Sequence, residues 1–301
     1  MKIVFLGTGG TYPSKMRNVS SIAVQIGPDV VMLDCGEGTQ RQLMNSPISF
    51  MRIRAIFITH LHADHFLGLA GLVQSMSLNG RTEQLKILGP RGTKETVLAM
   101  LDLGYFKSQF DVEASDLESG TTVDFGRFSI ETVESSHTVP SLAYAIQEKP
   151  RPGRFDLDRA KRLGIPEGPM YRALQGGSSV TVDGMIVAPQ EVIGDERPGR
   201  RVVYSGDTRP CESVARLASG ADVLVHDSTL DSSHSRLAAE FGHSTAAEAA
   251  ELAKSANVKI LYLVHISPRY DDPKPLEDEA RHVFPHSFVP FDLDVVDVRY
   301  S

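Results

Sequence analysis

The sequence predicts an α/β fold in which helices cover two packed β-sheets. Three observations lead there. Short apolar, β-branched runs alternate with helix-forming stretches along most of the 301 residues. The second half of the chain repeats the element order of the first, without a repeat at the residue level. Apolar residues make up 41% of the chain against 23% charged, which is enough to fill a layered core.

In chain order, Ile3–Leu6 reads as a buried strand closed by Gly7-Thr8-Gly9-Gly10. Strands follow at Ser21–Ile26 and Val30–Leu33, split by the turn residues Gly27-Pro28-Asp29. Gly36–Leu43 carries helix formers, and the alternating run Arg52–Thr59 is a strand that delivers His60 at its end. A helix over Phe66–Leu78, a strand at Leu85–Leu88, a helix over Thr93–Leu103 and strands at Phe128–Val133 and Leu142–Gln147 complete this half. From Lys149 to Gly199 proline and glycine become dense, with one amphipathic stretch at Phe155–Leu163, so this segment reads as a protruding insertion in a single domain. The strand–helix rhythm then resumes: strands at Arg201–Ser205, Asp222–His226 and Lys259–His265, helices at Cys211–Ala218 and Pro275–Val283, and a helical stretch Ser235–Ala256 broken at Gly242.

Composition narrows the class of function. The formal net charge of −7 gives no global attraction for polyanions, so a nucleic acid would have to meet a local basic patch. Cys35 and Cys211 are too few for a disulfide framework. The opening apolar stretch is too short for a signal peptide, and no run approaches the roughly 18 apolar residues of a membrane span. A cytoplasmic protein with no membrane contact is expected.

The densest chemical signal is His60-Leu61-His62-Ala63-Asp64-His65, four metal-ligand types in six residues at the mouth of a strand. In extended backbone His60 and His62 point to the same side and can grip one ion. Asp64 and His65 lie where the chain turns into a helix and can face a second. Imidazole and carboxylate suit Zn²⁺, whereas structural zinc sites are usually closed and rich in thiolate.

This run after a strand resembles the signature of the metallo-β-lactamase superfamily, whose fold is an αββα sandwich. The superfamily's downstream ligands find counterparts in order: His137, Asp207 in Tyr204-Ser205-Gly206-Asp207-Thr208, and His265. The resemblance implies that His60, His62 and His137 hold one metal, that Asp64, His65 and His265 hold the other, and that Asp207 bridges them. It implies two Zn²⁺ per subunit. Such a pair activates water and steadies both oxygens of a displacement at phosphorus.

Four further segments resemble ribonuclease Z, the endonuclease that trims 3′ trailers from precursor tRNA. Pro13-Ser14-Lys15-Met16-Arg17-Asn18 matches a Pro-x-Lys-x-Arg-Asn loop, and places Lys15, Arg17 and Asn18 where phosphates could be met. Asp34-Cys35-Gly36-Glu37-Gly38-Thr39-Gln40-Arg41-Gln42 matches a glycine-rich run before a helix, which serves equally as an anion-binding turn, with Thr39 and Arg41, or as packing. The insertion matches the family's flexible arm at Gly153-Arg154-Phe155-Asp156 and at Leu163-Gly164-Ile165-Pro166 with Gly168-Pro169 and Tyr171. Residues 149–172 hold seven basic residues against three acidic ones, among them Arg151, Arg154, Lys161 and Arg162. Such an arm fits docking on a duplex backbone without reading sequence. Arg172 departs from the glycine common in the family after the tyrosine.

Last, His226-Asp227-Ser228-Thr229 and His243-Ser244-Thr245 stand where the family has His-Glu-Ala-Thr and His-Ser-Thr. The family pairs the carboxylate with the second histidine near the cut bond, and Asp227 is one methylene shorter than the family's glutamate. The resemblance covers almost the whole chain. It implies a homodimeric endoribonuclease acting on precursor tRNA, with Asp64 as proton acceptor for water and His243, supported by Asp227, as acid. The nearest rival is a small-molecule phosphodiesterase or other hydrolase of the same fold. A second is a silent RNA-binding module that keeps metals for structure.

Overall fold

The computed structural model describes residues 1–300. The chain separates into two compact units, one formed by residues 1–147 with those from 200 on, the other by residues 148–199.

The strands, in chain order, are β1 (Lys2–Gly7), β2 (Ser21–Ile26), β3 (Asp29–Leu33), β4 (Ile53–Phe57), β5 (Leu85–Gly89), β6 (Val112–Asp116), β7 (Thr122–Asp124), β8 (Phe128–Glu134), β9 (Leu142–Glu148), β10 (Val180–Val182), β11 (Met185–Val187), β12 (Arg201–Tyr204), β13 (Val223–Asp227), β14 (Ile260–Val264), β15 (Ser287–Phe288) and β16 (Val295–Asp297). The larger unit holds two seven-stranded sheets, ordered β16-β1-β2-β3-β4-β5-β6 and β15-β14-β13-β12-β9-β8-β7. In the first, β3, β4, β5 and β6 run parallel. In the second, β12, β13, β14 and β15 do.

Alternation along each strand builds three apolar layers. Ile3, Phe5, Val31, Leu33 and Phe57 of the first sheet meet Phe128, Ile130, Tyr144, Val202, Tyr204 and Val225 of the second in one core between the sheets. The intervening residues Val4, Leu6, Met32, Ile56 and Ile87 face outward and are covered by Leu69, Leu72, Val73 and Met76 of the helix Leu69–Leu78. On the other side Val203, Leu224, Leu261 and Leu263 are covered by Ala246, Ala249, Ala250 and Ala253 of the helix Ala246–Ser255. The result is an αββα sandwich. Parallel strands buried on both faces explain why these segments read as near-continuous apolar runs.

Departures from the sequence reading have local causes. The helix expected over Phe66–Leu78 is divided into Ala63–Phe66 and Leu69–Leu78, because the Gly68 amide leaves the helix to donate to Cys35 O at 2.9 Å. β7, β15 and β16 escape the sequence reading because they span only two or three residues, and β6 because its five residues are half-exposed rather than buried.

The unit of residues 148–199 is more ordered than its composition suggests. It contains helices Leu157–Arg162 and Pro169–Gln175 and the hairpin β10–β11. They close on a core of Ala160, Ile165, Leu174, Val182, Val187 and Val192. The second helix runs straight through Arg172. The hairpin turns at Asp183-Gly184, both with positive φ (49° and 83°), a pairing of Asp-Gly with flanking β-branched residues that marks such turns in sequence.

Candidate active site

The site gathers at the carboxyl ends of the parallel strands, where open α/β sheets place ligands. β4 leads into His60, β12 into Asp207, β13 ends on Asp227, β14 leads into His265, and the β8–β9 connection carries His137. Ligand-type atoms of His60, His62, His137 and Asp207 lie within 4.8 Å of one another, as do those of Asp64, His65 and His265. Asp207 Oδ2 sits between the two sets, 3.6 Å from His60 Nε2, 3.4 Å from His65 Nε2 and 3.2 Å from His265 Nε2. All seven residues expected to face the metals are therefore brought together.

The donor set fits divalent cations. His60 Nε2 is 3.0 Å and His137 Nε2 3.3 Å from His62 Nδ1, close to the edge of about 3.3 Å of a tetrahedron with Zn–N arms of about 2.0–2.1 Å. Asp207 Oδ1 and His65 Nε2 are buried and lack hydrogen-bond partners among the described residues, a cost that a bound cation removes.

The imidazoles are aimed by their other nitrogens. His65 Nδ1 donates to Asp34 Oδ2 at 2.7 Å. His60 Nδ1 donates to Thr59 Oγ1 at 3.0 Å, and that hydroxyl donates onward to Asp34. His265 Nδ1 donates to Thr229 Oγ1 at 2.8 Å, which donates to Asp227 Oδ1. His137 Nδ1 donates to Gly242 O at 2.9 Å. Each bond fixes the tautomer and leaves the Nε2 lone pair facing the pocket. Asp34 is itself fully buried, at a φ of +60°, and also accepts Tyr204 Oη–H at 2.9 Å.

Asp227 contacts His243 directly: His243 Nδ1 donates to its Oδ2 at 2.9 Å. The shorter carboxylate thus reaches its partner. Burial opposes charge on His243, but the charge and hydrogen bond of Asp227 outweigh it and lift the ring to about 9. Asp64 Oδ2 lies 3.4 Å from His265 Nε2 and 3.7 Å from His65 Nε2. Burial, reinforced by the neighbouring His65, pushes His60 well below the usual imidazole range, into its ligating form. Arg209 ties the loops together, donating to His243 O at 2.6 Å and pairing with both carboxylate oxygens of Glu248 at 2.8 and 2.6 Å.

The residues expected to contact phosphate divide. Lys15, Arg41, Arg154, Lys161 and Arg162 are exposed, and Arg151 is half-buried. Arg17 is not a surface contact, a correction to the sequence reading: its guanidinium turns inward to Thr8 Oγ1 at 2.5 Å and Pro290 O at 2.7 Å, over the ring of Phe291. Thr39 is also withdrawn, being fully buried. Asn18 braces two loops by donating to Glu37 O at 2.9 Å. Packing likewise describes the glycine-rich turn: Cys35 N donates to His65 O at 2.8 Å, so the turn buttresses the metal run. Sequence reasoning missed Asp34, Thr59 and Thr229 as supports. Their signal was present, since every ligating histidine needs an acceptor behind it.

A two-sheet sandwich with a seven-donor cradle at its strand ends, built to bind divalent metal, defines a hydrolase of the metallo-β-lactamase fold. The beta-lactamase superfamily domain matches residues 187–266, and the family of the anti-Pycsar protein Apyc1 matches residues 1–149. Ribonuclease Z of Methanosarcina mazei is 45% identical over 301 residues, covering 100% of this chain and 99% of its own. Ribonuclease Z of Methanothermobacter thermautotrophicus is 47% identical over 299 residues, covering 99% and 97%. The chain belongs to the ribonuclease Z family. Its structure resembles human tRNase Z, short form (TM-score 0.72, 27% identity, 99% of this chain and 100% of that one). The fold is shared with YhfI of Bacillus subtilis (TM-score 0.71, 19% identity, 98% of each chain).

Asp34→Asn keeps the shape of the side chain but removes the charge that two ligating histidines lean on. Metal affinity is expected to fall about 10–100-fold, measured by competition with a chromogenic chelator, and an unchanged affinity would remove Asp34 from the site.

Proposed function

We propose that this protein is a metal-dependent endoribonuclease that removes the 3′ trailer from precursor tRNA, leaving a 3′-hydroxyl on the tRNA and a 5′-phosphate on the trailer. One observation carries the chemistry: His62, Asp64, His137, Asp207 and His265 of the cradle line the same cavity of about 630 Å³ as His243, which Asp227 holds from behind. Identity of 45% along the full length to a ribonuclease Z supports the choice of substrate. The nitrogen-rich donor set favours two Zn²⁺ per subunit. We take the working form to be a cytoplasmic homodimer, as the family resemblance implies. No helix among the described residues is long and apolar enough to cross a membrane.

His60, His62 and His137 would hold the first cation and Asp64, His65 and His265 the second, with Asp207 placed between the two sets. When bound, such a pair lowers the pKa of water and neutralises charge on the phosphoryl oxygens. Asp64, steadied by the Thr11 amide at 2.8 Å, orients the attacking water and accepts its proton. As the bond from phosphorus to the ribose 3′ oxygen breaks, His243 donates its Nε2 proton to that oxygen. Asp227 holds the opposite ring edge and keeps the proton in place at neutral pH. Thr229, bonded to both Asp227 and His265, links the acid to the cradle.

Lys15 and Arg41 of the main body and Arg151, Arg154, Lys161 and Arg162 of the insertion supply phosphate contacts. The insertion's net positive charge lies in its first half: over residues 149–199 as a whole there are eight basic against seven acidic residues. The basic helix Leu157–Arg162, capped by Asp156, carries Arg159, Lys161 and Arg162 on exposed positions. We infer that this helix is the arm's docking element for an RNA backbone.

The deciding experiment maps the cut in an end-labelled precursor tRNA. The wild type is expected to cut once, just after the discriminator base, and to stop when metal is chelated. Replacing residues 149–199 by a short turn, between β9 and β12 where Gln147 already pairs with Arg201, should raise KM for the precursor and spare a small chromogenic phosphodiester. Equal losses on both would count against a docking role for the insertion, and unchanged activity on the precursor would favour the small-molecule rival. His243→Ala should slow single-turnover cleavage about 10²–10⁴-fold with full metal content, and an unaltered rate would take His243 out of the chemistry.

A further inference from the structure

Phe241 is 56% exposed, a large aromatic side chain left in solvent, and it lines the same cavity as Asp64, Asp207 and His243. Leu237, one helical turn earlier, lines it too, as residues four apart on a helix share a face. Both belong to the helix Ser235–Phe241, which makes an apolar wall beside a cradle of charged groups.

The wall is rigidly tied to the reacting centre. The helix ends at Gly242, whose φ of 76° returns the chain, so that His243 N donates to Ala238 O at 2.8 Å. The Gly242 carbonyl accepts from His137 Nδ1, and a Cβ on Gly242 would stand 2.9 Å from that nitrogen. The backbone carrying Phe241 is therefore held on one side by a metal-facing histidine and on the other by the acid. Nothing in the core requires an aromatic ring at this exposed position, and an aromatic face beside a phosphodiester site is suited to a nucleobase.

The geometry points to Phe241 as the stacking platform for the base of the nucleotide immediately 5′ of the cut. This rests on the reading above, in which His243 protonates the departing 3′ oxygen. The nucleoside that carries that oxygen must sit beside His243, and Phe241 lies two residues before it on the same cavity wall. Stacking there positions the last retained nucleotide whatever its identity, because every base has a π-face.

The test is a cycle between protein and substrate, read as kcat/KM for metal-loaded enzyme. Phe241→Ala and Phe241→Leu are each expected to lower kcat/KM on precursor tRNA roughly 5- to 100-fold, while Phe241→Trp restores it. A precursor made abasic at the nucleotide 5′ of the cut should cost the wild type a similar factor and cost Phe241→Ala little more. An abasic nucleotide 3′ of the cut should add its effect equally to both proteins. Metal content and thermal unfolding of each variant exclude a folding cause, and Phe241→Leu keeps the apolar bulk without the aromatic face. Full activity of the leucine variant, losses that multiply for the 5′ abasic substrate, or coupling to the 3′ position instead would each overturn the assignment. Failure of the wild type to cut precursor tRNA would instead strike at the functional reading on which the assignment rests.

Discussion

An imidazole can offer either nitrogen to a cation, and which one it offers is decided by what the other nitrogen touches. In this fold two buried carboxylates make most of that choice. Asp34 takes the Nδ1 proton of His65 directly and that of His60 through Thr59. Asp227 takes that of His243 directly and that of His265 through Thr229. Asp34 thus stands behind one ligand of each metal set, Asp227 behind a ligand and the acid, and both carboxylates are fully buried. A charge in that setting is tolerated only because several donors converge on it, so the supports are as constrained as the ligands they serve.

The sandwich makes this possible by bringing two similar half-structures together at their strand ends. Asp34 follows β3 and His60 follows β4, parallel neighbours in one sheet. Asp207, Asp227 and His265 follow or end β12, β13 and β14, parallel neighbours in the other. The core between the sheets sets the distance between the two groups, and Tyr204 crosses it, reaching from β12 to Asp34 at 2.9 Å. Packing and ligation are thereby coupled. A side chain that belongs to the apolar core also holds a support of the metal run.

Much of the site was legible in the sequence because its ligands are reactive types clustered at strand ends. The run His60–His65 announces itself, and His137, Asp207 and His265 follow in order. Asp34, Thr59 and Thr229 were harder to see, since each is ordinary in its local sequence: Asp34 and Thr229 acquire meaning only when a distant ring is folded against them, and Thr59 only when it joins its neighbour His60 to Asp34. Arg17 was misread for the opposite reason. A basic residue in an N-terminal loop reads as exposed, yet Thr8 and the Pro290 carbonyl draw it inward. The buried strands were legible from their near-continuous apolar runs, while β7 and β15, of two or three residues, leave too little pattern to read. The insertion's proline and glycine concealed a small core whose apolar members are scattered from Ala160 to Val192.

The central claim, that buried carboxylates select the nitrogen that His60, His65, His243 and His265 turn to the pocket, is tested most directly by ¹⁵N nuclear magnetic resonance of the ring nitrogens in zinc-loaded protein. The account predicts a proton on Nδ1 of His60, His65, His137, His243 and His265, with His62 alone among the ligands facing the metal through Nδ1. A proton on Nε2 of His65 or His265, with Nδ1 toward the metal, would contradict it.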